Sequence, residues 1–511
     1  MEFEALRDLI KIINRNKVKN IEILGNPGQD ESRTEELYNR IASEKFESDE
    51  QAALYFFGMD EKKDQNYKRL RNKLIRQLIN TALFIDVNQP MFNERSKALY
   101  NCYRDFASAN ILRLREANKA AVYLMHQTLE QCIKFEFIEL ATEITRFLRM
   151  RYARSVGDKS NHAYFTELHQ QYELKRRREM LALDYYDNLI DYYINKRSPN
   201  LEIYNMANGY FEELWPLTTE VDTSQFYNYT YLIGILKFMS KNDSQSALEL
   251  ADNALITLQN RKNTNRTDLF TLAIQKLSCL THLRMFEHQE GEAVVAYCLK
   301  LIEKNSFNWY RLMETYFQYC MYAKNYNKAL EIYDLVRKSE RMSTLTGNVR
   351  DSWQLYGGYL HLLVQFKKLD IKAVEKITGP FKMVRFNNDF EIFDRDKEGM
   401  NIPLFLLPLL YSLAQGSDHE EEYGRSVDAI EKYRKRYLDN DLNRRSASFT
   451  NMLLALGKIE FEQASAERKI KKEMAVLNSL PPQEAGQSLA VEIIPYEDLW
   501  EMLVAVPEEH A

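Results

Sequence analysis

The chain has 511 residues, and its 16 glycines and 11 prolines make up about 5% of it, against ~12% in average usage. So few turn-formers exclude an all-β sandwich or barrel, and 45% hydrophobic residues exclude a long disordered protein. The 69 basic and 74 acidic residues leave a net charge of −5, so any nucleic-acid contact must rest on a local patch rather than on a general basic excess.

In chain order, Phe3, Leu6, Leu9, Ile10 and Ile13 fall on one face of a first helix. The start, from Met1 to Asp8, is acidic and amphipathic and is not expected to act as a signal peptide. Asn26-Pro27-Gly28 reads as a turn, Glu35 to Ile41 as a second helix, and Ser48-Asp49-Glu50 as the capped start of a third that ends near Gly58. Residues 60–65 read as a charged loop. A fourth helix then carries Tyr67, Leu70, Leu74, Leu78 and Ile85 to a stop at Pro90. Lys68, Arg69, Arg71, Lys73 and Arg76 lie within nine residues that contain no acid, and Arg69, Lys73 and Arg76 share one helical face. A basic helix after a short helix and turn is the pattern of a helix-turn-helix element, with Lys68, Arg69, Lys73 and Arg76 as its nucleic-acid contacts. A solvated helix face is the plainer reading of the same charges.

From about 92 to 197 the pattern is helix after helix: 93–116, 117–135, 136–154, and one or two long helices from Asn161 to Lys196. Ser198-Pro199-Asn200 breaks it. Beyond 200, alanine-rich stripes recur at residues 246–255, 292–297 and 326–333, with a weaker one at 427–433. Small residues on one stripe let a neighbouring helix approach closely. The anchors Ala247, Ala293 and Ala329 are 46 and 36 residues apart, within the range of helix-pair repeats.

Two segments carry a family likeness. KNYNKALEIYDL (324–335) resembles the second helix of a tetratricopeptide repeat, with Ala329 and Tyr333 at its small and aromatic positions. Trp353-Gln354-Leu355-Tyr356-Gly357-Gly358-Tyr359 resembles a first helix, with Trp353 and Gly357 at the Trp and Gly positions. RDKEGMNIPLFLLPLL (395–410) and residues 48–86 are also similar to uncharacterised bacterial helical-repeat proteins, a likeness that implies no activity. What the likeness implies is an α-solenoid whose stacked helical pairs leave an extended face for a peptide or protein.

After residue 468 the chain passes through Leu480-Pro481-Pro482 into a tail rich in apolar residues, Ile493, Ile494, Leu499 and Trp500 among them. So much apolar surface has to dock, either on the chain's own repeats or on a partner.

Signatures of chemistry are sparse. No phosphate-binding glycine loop and no His-Glu-x-x-His occur, and the eight histidines form no ligand pair at i, i+4 spacing. Asp394-x-Asp396-x-Glu398-Gly399 opens like a calcium loop, but its twelfth position is Phe405 rather than a bidentate Glu, so a solvated turn is expected. Gly486-Gln487-Ser488-Leu489-Ala490 half-resembles a nucleophile elbow but follows a Pro-rich stretch with no strand. The five cysteines are scattered and read as core residues in a reducing cytoplasm. The longest uncharged apolar run, Ile402 to Leu413, is too short to cross a membrane.

The expectation is therefore an all-α solenoid of stacked helical hairpins, tetratricopeptide-like, with an N-terminal helical unit. It divides into 1–90, 91–200, 201–470 and a docking tail at 471–511. Its expected role is a cytoplasmic, non-enzymatic scaffold without cofactor or metal. A protein or peptide partner is expected on a concave face of about 225–360, lined by Tyr316, Tyr319, Tyr322, Trp353 and Tyr356. The alternative is a transcriptional regulator that reads DNA through the 67–76 helix.

Overall fold

The computed structural model describes residues 3–15, 32–58, 61–89, 92–154, 158–196, 201–261, 264–287, 289–339, 342, 347–383, 386, 401–415, 420–438, 443–457, 459–482 and 491–505. Among these residues there are 22 α-helices and no strand, so the fold is all-α, built of helices packed on their neighbours as in a helical-repeat solenoid. No helix among them is long and apolar enough to cross a membrane. The chain divides into two compact units, Met1–Arg176 and Arg177–Ala511, each described by itself below.

The first unit holds α1 (Phe3–Arg15), α2 (Arg33–Ala42), α3 (Asp49–Phe57), α4 (Glu61–Ala82), α5 (Glu94–Leu114), α6 (Asn118–Phe135), α7 (Ile138–Ala153) and the first half of α8 (Lys159–Lys196). Ser32, Ser48 and Asn93 cap α2, α3 and α5, each side chain accepting a first-turn backbone N–H. Two cores result. One gathers Leu6, Ile10, Leu37, Ile41, Leu74 and Leu78 from α1, α2 and α4. The other gathers Cys102, Met125, Cys132, Ile144, Leu148 and Phe165 from α5 to α8. The charged segment expected as a loop at 60–65 is helical from Glu61 onward, because Glu, Lys and Gln are strong helix formers and no Gly or Pro interrupts them.

The second unit continues with α9 (Leu201–Leu214), α10 (Ser224–Ser240), α11 (Ser244–Gln259), α12 (Arg266–His282), α13 (Glu290–Leu301), α14 (Phe307–Tyr322), α15 (Tyr326–Arg337), α16 (Gly347–Gln365) and α17 (Ile371–Thr378). It ends with α18 (Asn401–Gln415), α19 (Glu420–Tyr433), α20 (Arg444–Leu456), α21 (Ile459–Ser479) and α22 (Tyr496–Val504). Helices α10 to α17 form four consecutive hairpins. In each, the first helix closes on a residue in the left-handed region: Asn242, Arg284, Lys324 and Lys367, with φ between 55° and 62°. The next backbone N–H then reaches back to the helix: Asp243 to the Phe238 carbonyl, Met285 to Leu280, Asn325 to Cys320 and Lys368 to Leu363, all at 2.9–3.0 Å. This is a Schellman closure, and it turns the chain sharply into the second helix. The four turn residues follow one another at intervals of 42, 40 and 43. That is a more regular period than the alanine stripes suggest.

Stacking follows from which faces are apolar. Helix α12 packs on α10 and α14, and α16 packs on α15 and α18. Eleven of the sixteen residues of α14 are buried, so this helix is enclosed on nearly every side. Close approach needs small residues at defined points. A Cβ on Gly291 would stand 2.3 Å from the Tyr319 ring, and one on Gly357 would stand 2.6 Å from the Tyr333 hydroxyl. The second of these brings together the positions that carry the tetratricopeptide likeness. In α13 the buried small residue is Gly291, whereas Ala293 faces solvent. The alanines of the stripe expected at 292–297, Ala293 and Ala296, therefore lie on the outer face of the helix, while Val294 and Val295 between them are buried.

Candidate functional site

The five aromatic residues expected to line an open groove are core residues. Trp353, Tyr319, Tyr322 and Tyr356 are at most 2% exposed and Tyr316 is 8% exposed. Their spacing places them on the faces where successive hairpins meet, and a large ring there fills the space between two helices. Phe317 stacks on Tyr356 at 4.6 Å and lies edge-on to Trp353 at 5.8 Å. Two of the tyrosine hydroxyls have internal partners: Tyr319 donates to Glu292 at 3.2 Å and Tyr356 to Glu314 at 3.1 Å. The open-groove expectation for these side chains is corrected accordingly.

On α4, Lys68, Arg69, Lys73 and Arg76 are exposed, while Tyr67, Leu74 and Leu78 on the opposite face are buried. Arg71 turns away from this basic face and pairs with Asp49 at 3.2 Å. Helix α3 closes on Gly58, whose φ is 73°.

Among the described residues of the second unit, the C-terminal segment is held by an extended set of polar contacts. Residues 491–495 run as non-helical chain into α22, and Ile493, Ile494 and Leu499 are buried, with Trp500 half-buried against the same core. The tail thus packs on its own chain. Its anchor is Arg445 at the start of α20, whose side chain has no solvent exposure. Arg445 donates to Glu492 at 2.6 and 3.1 Å and to Glu497 at 2.8 and 2.9 Å. It also donates to the Leu477 and Leu480 carbonyls at 3.2 and 2.6 Å. A planar fork with five N–H donors is the one side chain that can grip two carboxylates and two carbonyls at once. Glu492 in turn accepts the Tyr496 backbone N–H at 2.8 Å, satisfying an orphan donor at the start of α22. The Tyr496 ring stacks on Phe449 at 4.4 Å, and its hydroxyl lies 2.7 Å from that of Ser446.

A second grip comes from the hairpin turns. Arg284 and Lys324, the left-handed residues of two successive hairpins, each hold one oxygen of Asp498 at 2.9 Å, and Lys324 also approaches Glu501 at 3.8 Å. Glu497 and Asp498 sit in the first turn of α22, where the helix dipole favours negative charge. Burial works against the Arg445 charge, but Glu492 and Glu497 outweigh it and raise the guanidinium above its ordinary value. Burial also holds the Tyr322 and Tyr496 hydroxyls firmly protonated. The seat is therefore cationic and aromatic, and its occupant is acidic and amphipathic.

The sequence analysis names the apolar residues Ile493, Ile494, Leu499 and Trp500 of this segment but not Arg284, Lys324 or Arg445. For Arg445 a signal existed: it lies on the same helical stripe as Phe449 and Met452, and a cation on an apolar stripe requires a carboxylate partner. The calcium-like stretch from Asp394 and the elbow-like Gly486 to Ala490 lie outside the described residues. All five cysteines are unpaired and buried. No family model, no curated protein and no solved structure matches this chain.

Proposed function

We propose that this chain is a cytoplasmic, non-enzymatic scaffold of tetratricopeptide-like hairpins that binds a protein or peptide partner. The observation that carries the reading is the grip on residues 491–505. Side chains from three separate places in the array, Arg284, Lys324 and Arg445, together hold one short polypeptide segment. Reading a ligand through one residue from each of several repeats is what helix-pair arrays are suited to, because each pair buries only the faces it shares with its neighbours. The test is affinity capture with the tagged full-length chain from its native cell, followed by titration with the purified partner. A protein retained near one-to-one with a saturable isotherm supports the reading. Retention no greater than on bare resin, or turnover of a small molecule by the pure chain, contradicts it.

A second reading has its own support. The exposed basic face of α4, preceded by the short helix α3 that closes on Gly58, suits a helix-turn-helix, whose turn often contains Gly. On this reading Lys68, Arg69, Lys73 and Arg76 contact DNA, and affinity falls steeply with salt as phosphate counterions are released. A gel-shift series across salt decides it. Binding that survives reversal of Arg69, Lys73 and Arg76 to Glu removes the reading.

A further inference from the structure

We infer that the seat of residues 491–505 is the protein's recognition surface, that the chain's own C-terminal segment is its resident ligand in cis, and that the partner carries an acidic amphipathic helix that exchanges with it. This deepens the scaffold reading above and rests on it. Three observations support it.

First, the contact is organised like an interface between two partners. Ile493, Ile494 and Leu499 form a fully buried apolar centre, and a charged rim of Arg284, Lys324 and Glu501 is partly open to water. A dry centre under a polar rim, contacted by Tyr and Arg, is the usual anatomy of protein recognition.

Second, the charges are complementary in sign and separated in sequence. Asp498 is held by residues 214 and 174 positions upstream, and Glu492 and Glu497 by a residue about 50 upstream, so no local turn enforces the pairing. Buried ion pairs of this kind contribute little net stability compared with well-packed apolar residues, and their best-attested use is to fix register and partner. The Arg445 fork admits carboxylates at two positions five residues apart, and the Arg284–Lys324 pair admits a third carboxylate beside the second.

Third, the cations of the rim stand on the repeating turns. Arg284 and Lys324 occupy left-handed positions that glycine would fill with less strain, and their side chains are the ones that grip Asp498.

The occupant's chemistry follows from its contacts. It is an acidic residue and two large apolar residues in non-helical, bent chain, then a helix that opens with aromatic-acidic-acidic-apolar and repeats apolar residues three and four positions on. In this chain that stretch is Glu492-Ile493-Ile494-Pro495-Tyr496-Glu497-Asp498-Leu499, followed by Met502 and Leu503.

The experiment uses the full-length chain with a protease site placed within residues 483–490, cut so that both pieces are retained, and a fluorescent peptide of residues 491–505 as probe. The expected result is uptake of the peptide with release of an equal amount of the native tail. Uptake by the uncut chain should be much slower, because the tethered tail competes at a high effective concentration. The Asp498→Lys peptide should bind at least tenfold more weakly to the cut chain. A cut chain carrying Lys324→Glu should recover most of that loss, which separates charge reading from a general failure to fold. Absence of exchange below the unfolding temperature overturns the inference, as does equal binding of the Asp498→Lys peptide. Peptide binding without tail release moves the partner surface elsewhere on the chain. Each of those failures leaves the capture experiment above untouched, whereas exchange without any captured partner removes the scaffold reading instead.

Discussion

Arg445 shows at the scale of one residue how a charge is made tolerable in a core. Truncating it leaves Glu492 and part of Glu497 buried without a counter-charge, so Arg445→Ala should cost about 3–5 kcal/mol and lower the melting midpoint sharply. Replacing Arg445 and Glu492 together by Met and Leu should recover most of that loss in the same melt. Trp353 gives a contrasting case, because its buried indole N–H has no hydrogen-bond partner. Trp353→Phe should therefore be mild, whereas Trp353→Ala should cost about 3–5 kcal/mol through the cavity it opens. If Trp353→Ala keeps the melting midpoint and loses only partner binding, the core placement is wrong. His361 adds a pH dependence. It is 5% exposed, stacks on Phe381 at 4.6 Å, and is pushed down to about 4 by burial. Between about pH 6.5 and 4 the unfolded chain binds a proton that the folded chain does not, so this part of the stability is complete above that window and is lost as pH falls through it. Thermal melts should decline over that range with a slope of up to ~1.4 kcal/mol per pH unit from this group, and His361→Gln should flatten the decline.

At the scale of the element, helix contact depends on which small residue faces the neighbour. Gly291→Ala should cost about 1–3 kcal/mol because its Cβ would meet the Tyr319 ring, while Ala293→Ser on the outer face should stay within about 0.5 kcal/mol. Equal melting midpoints for the two variants would contradict the packing of α13 on α14. The same pair of residues marks how far the sequence could be read. Helical periodicity placed helices at 246–255, 292–297 and 326–333, but a small-residue stripe does not say which side of a helix it lies on when alanine and glycine alternate. The aromatic helix at 310–322 has the same limit. Tyr316, Tyr319 and Tyr322 at helical spacing look alike whether they line a groove or fill a helix junction, and only the neighbouring elements decide, as Gly291 and Glu292 of α13 do for Tyr319. At 60–65 high charge suggested a loop, while strong helix formers without a breaker carried α4 back to Glu61. The apolar content of the tail is plain in the sequence, and Ile493, Ile494 and Leu499 are buried. The tail's receptor is not plain there, since Arg284 and Lys324 adopt a backbone conformation that their residue types seldom take.

At the scale of the whole molecule, the second unit is organised by a 40–43-residue rhythm of Schellman turns, and two of those turns reach the C-terminal segment. The function proposed above rests on this surface, which grips an acidic amphipathic helix of the same chain from successive turns. Carbodiimide cross-linking of the native full-length chain, followed by peptide mass spectrometry, tests that arrangement most directly, because it joins lysine amines to adjacent carboxylates without a spacer. Lys324 should be joined to Asp498 or Glu501 within the monomeric species. Cross-links from Lys324 only to other carboxylates, or to the tail only in a dimeric species, would contradict it.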